Sequence, residues 1–270
     1  MSVQLPESTT GRAALEVATH AASEAGRILK DHYKGEKRIS YKPGRSNIVT
    51  DVDVLSEETV KALLRDEYPG FGVIAEESDE VVGETSYSWI IDPLDGTRNY
   101  AHGVPHFCVA IALARDGDVV IGVIHDPVRG ETFSVEKGQG AFLNGSPIAV
   151  SRRASLQASL VGFDMGYSVE RGREMLEVAN ALWPGVEAVR VMGSAALGLA
   201  YAACGRLDLY INLSLSSWDL AAGMLMVREA GGLVTDPDGA PATTRSTSIV
   251  AANEAIHGEF MSRRRDKPVG

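Results

Sequence analysis

The stretch Ser88-Trp-Ile-Ile-Asp92-Pro-Leu-Asp95-Gly-Thr-Arg-Asn-Tyr100 decides how this 270-residue chain is interpreted. Its first four residues are mostly aromatic or β-branched, which predicts a short buried strand that ends at Asp92. The proline that follows has a fixed φ, so Asp92 and Asp95 are held on a stiff turn. Gly96 and Thr97 offer backbone N–H groups beside them. Carboxylates for a divalent cation beside donors for phosphate indicate a phosphatase, although Asp-Pro and Asp-Gly turns are also common on protein surfaces.

Three further segments carry acids at the ends of predicted elements. The apolar run that begins at Phe71 ends in Glu76 and Glu77, Asp53 precedes a helical pattern, and Asp219 opens another. Each has an ordinary structural explanation: a strand that ends in solvated charge, an N-cap, and an acid in the first turn of a helix. Four acid-bearing element ends that all match one template are, however, improbable by chance.

These segments resemble the motifs of the inositol monophosphatase family of magnesium-dependent, lithium-sensitive phosphatases over about residues 42–253. The family element Asp-x-Val-Thr-x-x-Asp is matched by Asn47–Asp53, with Asn in the first place, and Gly-Glu-Glu is matched by Ala75–Glu77, with Ala for Gly. The core Trp-Ile-Asp-Pro-x-Asp-Gly-Thr-x-Asn is matched by Trp89–Asn99, with one additional isoleucine. Three more segments look like the family: Lys137–Gly145, Gly193–Ala196 and Trp218–Gly223.

The resemblance implies two to three Mg²⁺ ions. Glu76, Asp92 and the carbonyl of Leu94 would hold one ion, Asp92, Asp95 and Asp219 a second, and Glu76 would support a third through water. Oxygen ligands suit magnesium. Several carboxylates a few Å apart also repel one another, by roughly 4 kcal/mol per pair at 4 Å and an effective dielectric near 20. Such a site should therefore hold protons or metal.

The resemblance also implies the remaining site residues. Asp53 and Thr97 would orient an attacking water, with Glu76 as the third catalytic residue, and attack would be direct, without a covalent enzyme intermediate. The residues implied to contact phosphate or substrate are Asp95, Gly96, Thr97, Gly193, Ser194, Ala195, Asn212 and Asp219. For Ser194, an N-cap of the following helix is the open alternative.

The expected substrate is a small phosphorylated polyol or sugar similar to inositol monophosphate. Family members that read inositol hydroxyls commonly carry Glu six residues before the tryptophan, where this chain has Asn212. A neutral amide donates as well as accepts, so fructose 1,6-bisphosphate, histidinol phosphate and nucleotide 3′-phosphates are alternatives. Asn47 and Ala75 lie beside, and not at, the matched metal and water positions, and we expect them to leave magnesium chemistry intact.

Other chemistries fit the sequence less well. Phosphatases with an aspartate nucleophile place their two aspartates two residues apart, whereas Asp92 and Asp95 are three apart. No Gly-x-Ser-x-Gly motif accompanies His102 or His106, which are interpreted as packing or surface histidines. Both cysteines, Cys108 and Cys204, are interpreted as buried small side chains. A non-catalytic regulatory homologue is the alternative from a different class, and the complete acidic set argues against it.

Composition agrees with an enzyme that acts on small anions. The chain is 44% hydrophobic and carries a net charge of -10, which argues against binding to nucleic acid. Its N-terminal residues lack the basic and apolar regions of a signal peptide, and no apolar run is long enough for a membrane span. We expect a cytoplasmic location and no membrane association, and the resemblance implies a homodimer.

The order of elements predicts an α/β (α+β) fold in two lobes of one catalytic unit. Residues 1–150 would form an α+β lobe with most of the metal ligands, and residues 151–270 an α/β lobe that completes the site. The predicted helices are 11–33, 54–67, 168–182, 194–204, 218–230 and 253–264. The predicted strands are 72–76, 88–92, 107–114, 119–125, 132–135, 159–163 and 187–191, then 208–211 and short strands near 233 and 248. The resemblance implies a layered α-β-α-β-α sandwich of the inositol monophosphatase and fructose-1,6-bisphosphatase type.

Overall fold

The computed structural model describes residues 5–42 and 47–266 of the chain. Residues 1–4, on which the expected location partly depends, lie outside this range. The helices are α1 (Ala14–His32), α2 (Asp51–Glu67), α3 (Thr97–Ala101), α4 (Val169–Leu182), α5 (Ala195–Ala203), α6 (Ser217–Glu229) and α7 (Glu254–Asp266). The first nine strands are β1 (Ile39–Tyr41), β2 (Ile48–Thr50), β3 (Gly72–Ala75), β4 (Tyr87–Asp95), β5 (Cys108–Arg115), β6 (Asp118–Asp126), β7 (Glu131–Glu136), β8 (Gly140–Leu143) and β9 (Ser146–Pro147). The others are β10 (Leu160–Phe163), β11 (Ala188–Val191), β12 (Leu209–Asn212), β13 (Leu233–Thr235) and β14 (Ile249–Ala252).

Two large sheets organise the molecule. The seven-stranded sheet runs β3-β4-β5-β6-β7-β8-β9 in chain order, with β3 and β4 parallel and the other pairs antiparallel. Asp116 and Gly117 both have positive φ and close the predicted hairpin between β5 and β6. The five-stranded sheet has the order β11-β10-β12-β14-β13, in which β10 is parallel to both of its neighbours.

Helices separate and cover the sheets. The buried alanine stripe of α1 packs with α2 on one face of the seven-stranded sheet, and α5 and α6 pack on the other face. Helix α5 also contacts β12 and β14 of the five-stranded sheet, whose outer face is covered by α4 and α7. The predicted α-β-α-β-α order of layers is therefore confirmed. The predicted lobe boundary at 150 and 151 falls between the two sheets and stays a prediction.

Several short elements were not predicted. They are the β1–β2 hairpin, the five-residue α3, and the short strands β8 and β9 at one side of the seven-stranded sheet. All three residues of β1 are exposed, so no alternation of burial marks it as a strand. Helix α2 begins three residues earlier than predicted because the Thr50 side chain accepts hydrogen bonds from the first-turn N–H groups.

The predicted end of β4 at Asp92 is wrong. The strand continues through Pro93 to Asp95, and its pairing with β5 shifts register between Asp92 and Asp95. Residues three apart in a regular strand face opposite sides of the sheet. The bulge removes this alternation, so both carboxylates can reach the same place.

No helix in the described part of the chain combines the length and the apolar character needed to cross a bilayer.

Candidate active site

Three aspartates from distant segments form an acidic cluster. Asp92 and Asp95 come from the bulge of β4, and Asp219 comes from the first turn of α6. One carboxylate oxygen from each lies within 4.8 Å of the others. Burial, followed by the negative charge of neighbouring carboxylates, raises the pKa of Asp92 well above its usual range. Burial likewise raises the pKa of Asp219. The cluster thus favours either protons or a cation over three free negative charges.

Asp95 connects the end of strand β4 to the start of helix α5. Its Oδ1 accepts a hydrogen bond from the Ala195 N–H (3.0 Å), and its Oδ2 accepts one from the Ala196 N–H (2.9 Å). The Ser194 hydroxyl also donates to Asp95 and does not cap its own helix. Ser194 does occupy the N-cap position of α5, but its side chain makes no cap hydrogen bond, and the carboxylate of Asp95 binds the start of the helix instead.

Asp53 and Thr97 meet as a second pair. Asp53 Oδ2 accepts from the Thr50 N–H (2.9 Å) and from the Thr50 hydroxyl, while Oδ1 lies 3.1 Å from the Thr97 hydroxyl. The same hydroxyl lies 3.0 Å from the carbonyl oxygen of Leu94. Burial raises the pKa of Asp53 to about 6. Thr50, and not Asp53, is the N-cap of α2.

Glu76 lies directly after β3 and faces a lysine. Lys42 Nζ is 3.0 Å from Glu76 Oε1 and 2.5 Å from Glu77 Oε1. Burial raises the pKa of Glu76, and Lys42 partly offsets that effect. The main-chain N–H of Glu77 donates to Glu57 Oε2 (2.8 Å), which fixes the chain after Glu76. Lys42 was not predicted to belong to the site.

One cavity gathers the residues that the resemblance implied for phosphate and substrate. All eight of them, from Asp95 on β4 to Asp219 on α6, line it together. The sequence analysis missed the other lining residues, which are Arg98, Asp164, Gly166, Tyr167, Ser214 and Leu215. Asp164 directly follows strand β10, so the rule applied to the other acidic strand ends would have found it.

The side chain of Asn212 belongs to a hydrogen-bonded network in the cavity wall. Its Nδ2 donates to the Tyr210 hydroxyl (3.2 Å), and its Oδ1 accepts from the Ser214 N–H (2.9 Å). The Tyr210 hydroxyl donates to Asp164, which also accepts from the Gly193 N–H. Asn212 is 2% exposed, so it shapes the cavity wall more than it offers free hydrogen bonds.

The network leads to a prediction about pH. Burial raises the pKa of Asp164 from 3.8 to about 7, so ionised Asp164 opposes folding above pH 4, increasingly up to about pH 7. A pKa that rises from 3.8 to about 7 corresponds to roughly 4 kcal/mol, so Asp164→Asn should raise the free energy of unfolding at pH 8 by up to that amount. The gain should shrink as the pH falls towards 4. Urea denaturation in the presence of chelator at several pH values measures this gain and its pH dependence. A variant less stable than wild type at pH 8 would contradict the raised pKa of Asp164.

Gly96 requires a backbone that other residues rarely adopt. Its φ is +95°, and an added Cβ would lie 3.0 Å from the His106 carbonyl oxygen and 3.2 Å from that of Gly193. Gly117 has a similar φ of +85° but open space around it. We expect Gly96→Ala to cost about 1 to 2 kcal/mol more than Gly117→Ala, because both are strained but only the first is crowded. Equal costs in urea denaturation would show that crowding at Gly96 is unimportant.

The cysteines and histidines that were interpreted as structural residues lie mostly as expected. Cys108 is fully buried and its thiol is 3.5 Å from Asp95 Oδ2, whereas Cys204 is only partly buried, unlike its prediction. His106 packs against the Tyr201 ring (5.8 Å between ring centroids), and His102 is exposed. Burial raises the pKa of the Cys108 thiol well above its usual range, so it stays protonated.

The chain is similar over most of its length to proteins of one known family. The model of the inositol monophosphatase family matches residues 12–268. The chain belongs to this family. An inositol-1-monophosphatase of Mesorhizobium japonicum is 42% identical over 90% of this chain and 93% of its own length. A Nus factor SuhB of Xylella fastidiosa is 41% identical over 85% of this chain and 84% of its own.

Solved structures agree with the family assignment. The crystal structure of the extragenic suppressor protein SuhB from Bartonella henselae has a TM-score of 0.89 and 38% identity, covering 93% of this chain and 98% of that one. Relatives named as inositol-1-monophosphatases support a phosphatase in this member of the inositol monophosphatase family.

Proposed function

We propose that the protein is a magnesium-dependent phosphomonoesterase that hydrolyses a small phosphorylated polyol or sugar by direct attack of water. The observation that carries the proposal is the acidic cluster of Asp92, Asp95 and Asp219, two of which line the cavity, with the Asp53–Thr97 pair nearby. Leu94 links the two, since its N–H donates to Asp92 (3.0 Å) and its carbonyl lies beside Thr97.

The donor set fits a hard divalent cation. All side-chain donors are carboxylate oxygens, and the raised pKa values of Asp92 and Asp219 reflect burial and negative charge that a cation would compensate. Asp92, Asp95 and Asp219 would hold one Mg²⁺, and Glu76, Asp92 and the Leu94 carbonyl another, with a third supported by Glu76. When bound, Mg²⁺ screens the charge of the phosphoryl group and favours deprotonation of water.

The residues of the chain supply positioning and proton transfer. Asp53 Oδ2 is occupied by Thr50, so Oδ1 is the oxygen available to accept a proton from water. With a pKa of about 6, Asp53 is ionised at neutral pH and close to the value at which a general base works best. The Thr97 hydroxyl holds Oδ1 on the side of the acidic cluster.

Other parts of the proposal derive from the family resemblance. These are lithium sensitivity, a homodimer, a cytoplasmic location and the alternative substrates fructose 1,6-bisphosphate, histidinol phosphate and nucleotide 3′-phosphates. The Nus factor name of one relative favours a second candidate, a regulatory protein that acts without turnover. The presence of every implied acid argues for catalysis, because a protein without turnover has no need to bury mutually repelling carboxylates.

Phosphate release from a panel of esters tests the proposal. The panel contains inositol 1-phosphate, fructose 1,6-bisphosphate, histidinol phosphate and adenosine 3′,5′-bisphosphate, each with Mg²⁺, with Mg²⁺ and Li⁺, and with chelator. Release that requires Mg²⁺ and falls with Li⁺ supports the proposal and ranks the substrates. A folded protein that releases phosphate from no ester in Mg²⁺ would favour the regulatory candidate.

A further inference from the structure

Arg98 is the single cation among the residues that line the site cavity. Within the described chain, it forms no salt bridge with a carboxylate. Its guanidinium lies over the Tyr167 ring, 4.6 Å from the centroid, and its Nη2 donates to the Gly166 carbonyl (3.3 Å). A guanidinium has five N–H groups in a fixed plane, so these two contacts orient it and leave most of its donors available.

Three of the other polar side chains of this wall are already hydrogen-bonded within the protein. Asn212 uses both ends of its amide on Tyr210 and Ser214, and Asp164 accepts from two donors. The Ser194 hydroxyl donates to Asp95. Arg98 is the group of this wall that carries the positive charge an anionic group would need. Asn212 is neutral and supplies no competing charge, and the nearby carboxyl group of Asp164 is held by Tyr210 and Gly193.

Arg98 also lines a neighbouring groove. This groove has a volume of about 470 Å³ and shares Arg98, Gly166 and Tyr167 with the site cavity. Arg173, which is exposed, lines the same groove. Two arginines thus line a groove that adjoins the site cavity, in a chain whose net charge is -10. This groove has room for the part of a substrate that is not hydrolysed.

We propose that Arg98 binds a second anionic group of the substrate, a phosphate or carboxylate that is not hydrolysed, and thereby selects doubly anionic esters. This inference rests on the proposed phosphatase function and specifies the class of its substrate. A charge-assisted hydrogen bond from a pre-oriented guanidinium is stronger than one between neutral groups, and its paired geometry suits both phosphate and carboxylate.

Matched pairs of esters test the inference in the wild-type protein with Mg²⁺. The pairs are fructose 1-phosphate with fructose 1,6-bisphosphate, adenosine 3′-phosphate with adenosine 3′,5′-bisphosphate, and glycerol 2-phosphate with glycerate 2-phosphate. We expect kcat/KM to be at least about tenfold higher for the doubly anionic member of at least one pair. A preference confined to the first two pairs identifies a second phosphate, and a preference in the third identifies a carboxylate.

Variants then assign the preference to Arg98. Arg98→Gln should lower the ratio of kcat/KM between the two members by roughly 10- to 100-fold, mainly through KM. Arg98→Lys, which keeps the charge but loses the planar fork, should restore part of the ratio. The exposed Arg152 provides the control, since Arg152→Gln makes the same change in net charge and should leave the ratio unchanged.

Contrary results are distinguishable. Equal kcat/KM within every wild-type pair, or an Arg98→Gln variant that slows both members equally, contradicts this inference alone. Absence of phosphate release from both members of every pair contradicts the proposed function and, with it, this inference.

Discussion

Asp53→Asn is expected to lower kcat by about 10²- to 10⁴-fold, the usual contribution of a general base. Asparagine has nearly the shape of aspartate, and its carbonyl can still accept from Thr50 while its NH₂ group donates to the Thr97 hydroxyl. The fold should therefore persist, but the oxygen that takes the proton is lost. Steady-state phosphate release measures kcat, and calorimetric titration should show that Mg²⁺ still binds.

Asp51→Asn is the matched control for this prediction. Asp51 also lies in the first turn of α2, but it is exposed and accepts from the Arg38 N–H on the surface. Neutralising it changes the charge of the same helix turn without touching Thr97 and should alter kcat less than threefold, about the size of a weak surface interaction. If the two variants lose activity equally, Asp53 acts through the helix and not as the acceptor of the proton.

Asp92→Asn should separate metal binding from folding. Turnover should fall by at least about 10³-fold, because a shared ligand of the cations is lost. In chelator, the variant should be more stable than wild type at pH 8, since the raised pKa of Asp92 means that its charge opposes folding. Mg²⁺ at about 100 times its Kd should stabilise wild type by roughly 2.7 kcal/mol and the variant far less.

Asp126→Asn is the control for a buried carboxylate outside the cavity. Asp126 is completely buried at the end of β6, where it accepts from the Val128 N–H (2.9 Å) and pairs with Arg129 (2.8 Å). Its neutralisation should destabilise the protein by about 1 to 3 kcal/mol and leave stabilisation by Mg²⁺ intact. Thermal unfolding with and without Mg²⁺ compares the variants, and a full Mg²⁺ response in Asp92→Asn would contradict the assigned ligand.

The acidic cluster was predictable from sequence because local rules place acids at the ends of elements. Asp92 follows the apolar run of residues 88–91, and Asp219 lies in the first turn of a helix, so both acids can be recognised without knowledge of distant contacts. The layered architecture followed in the same way, from the order of strands and helices together with the family resemblance.

The contacts between segments were not predictable. Asp95 accepts hydrogen bonds from N–H groups of α5, about a hundred residues away, and no local sequence pattern predicts this contact. The bulge that carries β4 past Pro93 depends on pairing with β5, which the Asp-Pro signal alone contradicts. The direction of the Asn212 side chain was not predictable either, because Tyr210 and Ser214 set it, and composition and spacing do not encode direction.

The most direct test follows Mg²⁺ binding and phosphate release on one sample. Wild-type protein is freed of metal with chelator and titrated with Mg²⁺, while bound Mg²⁺ and the initial rate on the best ester of the panel are both recorded. We predict no release in chelator and a rate that rises with the amount of bound Mg²⁺. Release that persists in chelator, or full Mg²⁺ binding without release from any ester, would contradict the proposal that this acidic site is a metal-dependent phosphatase.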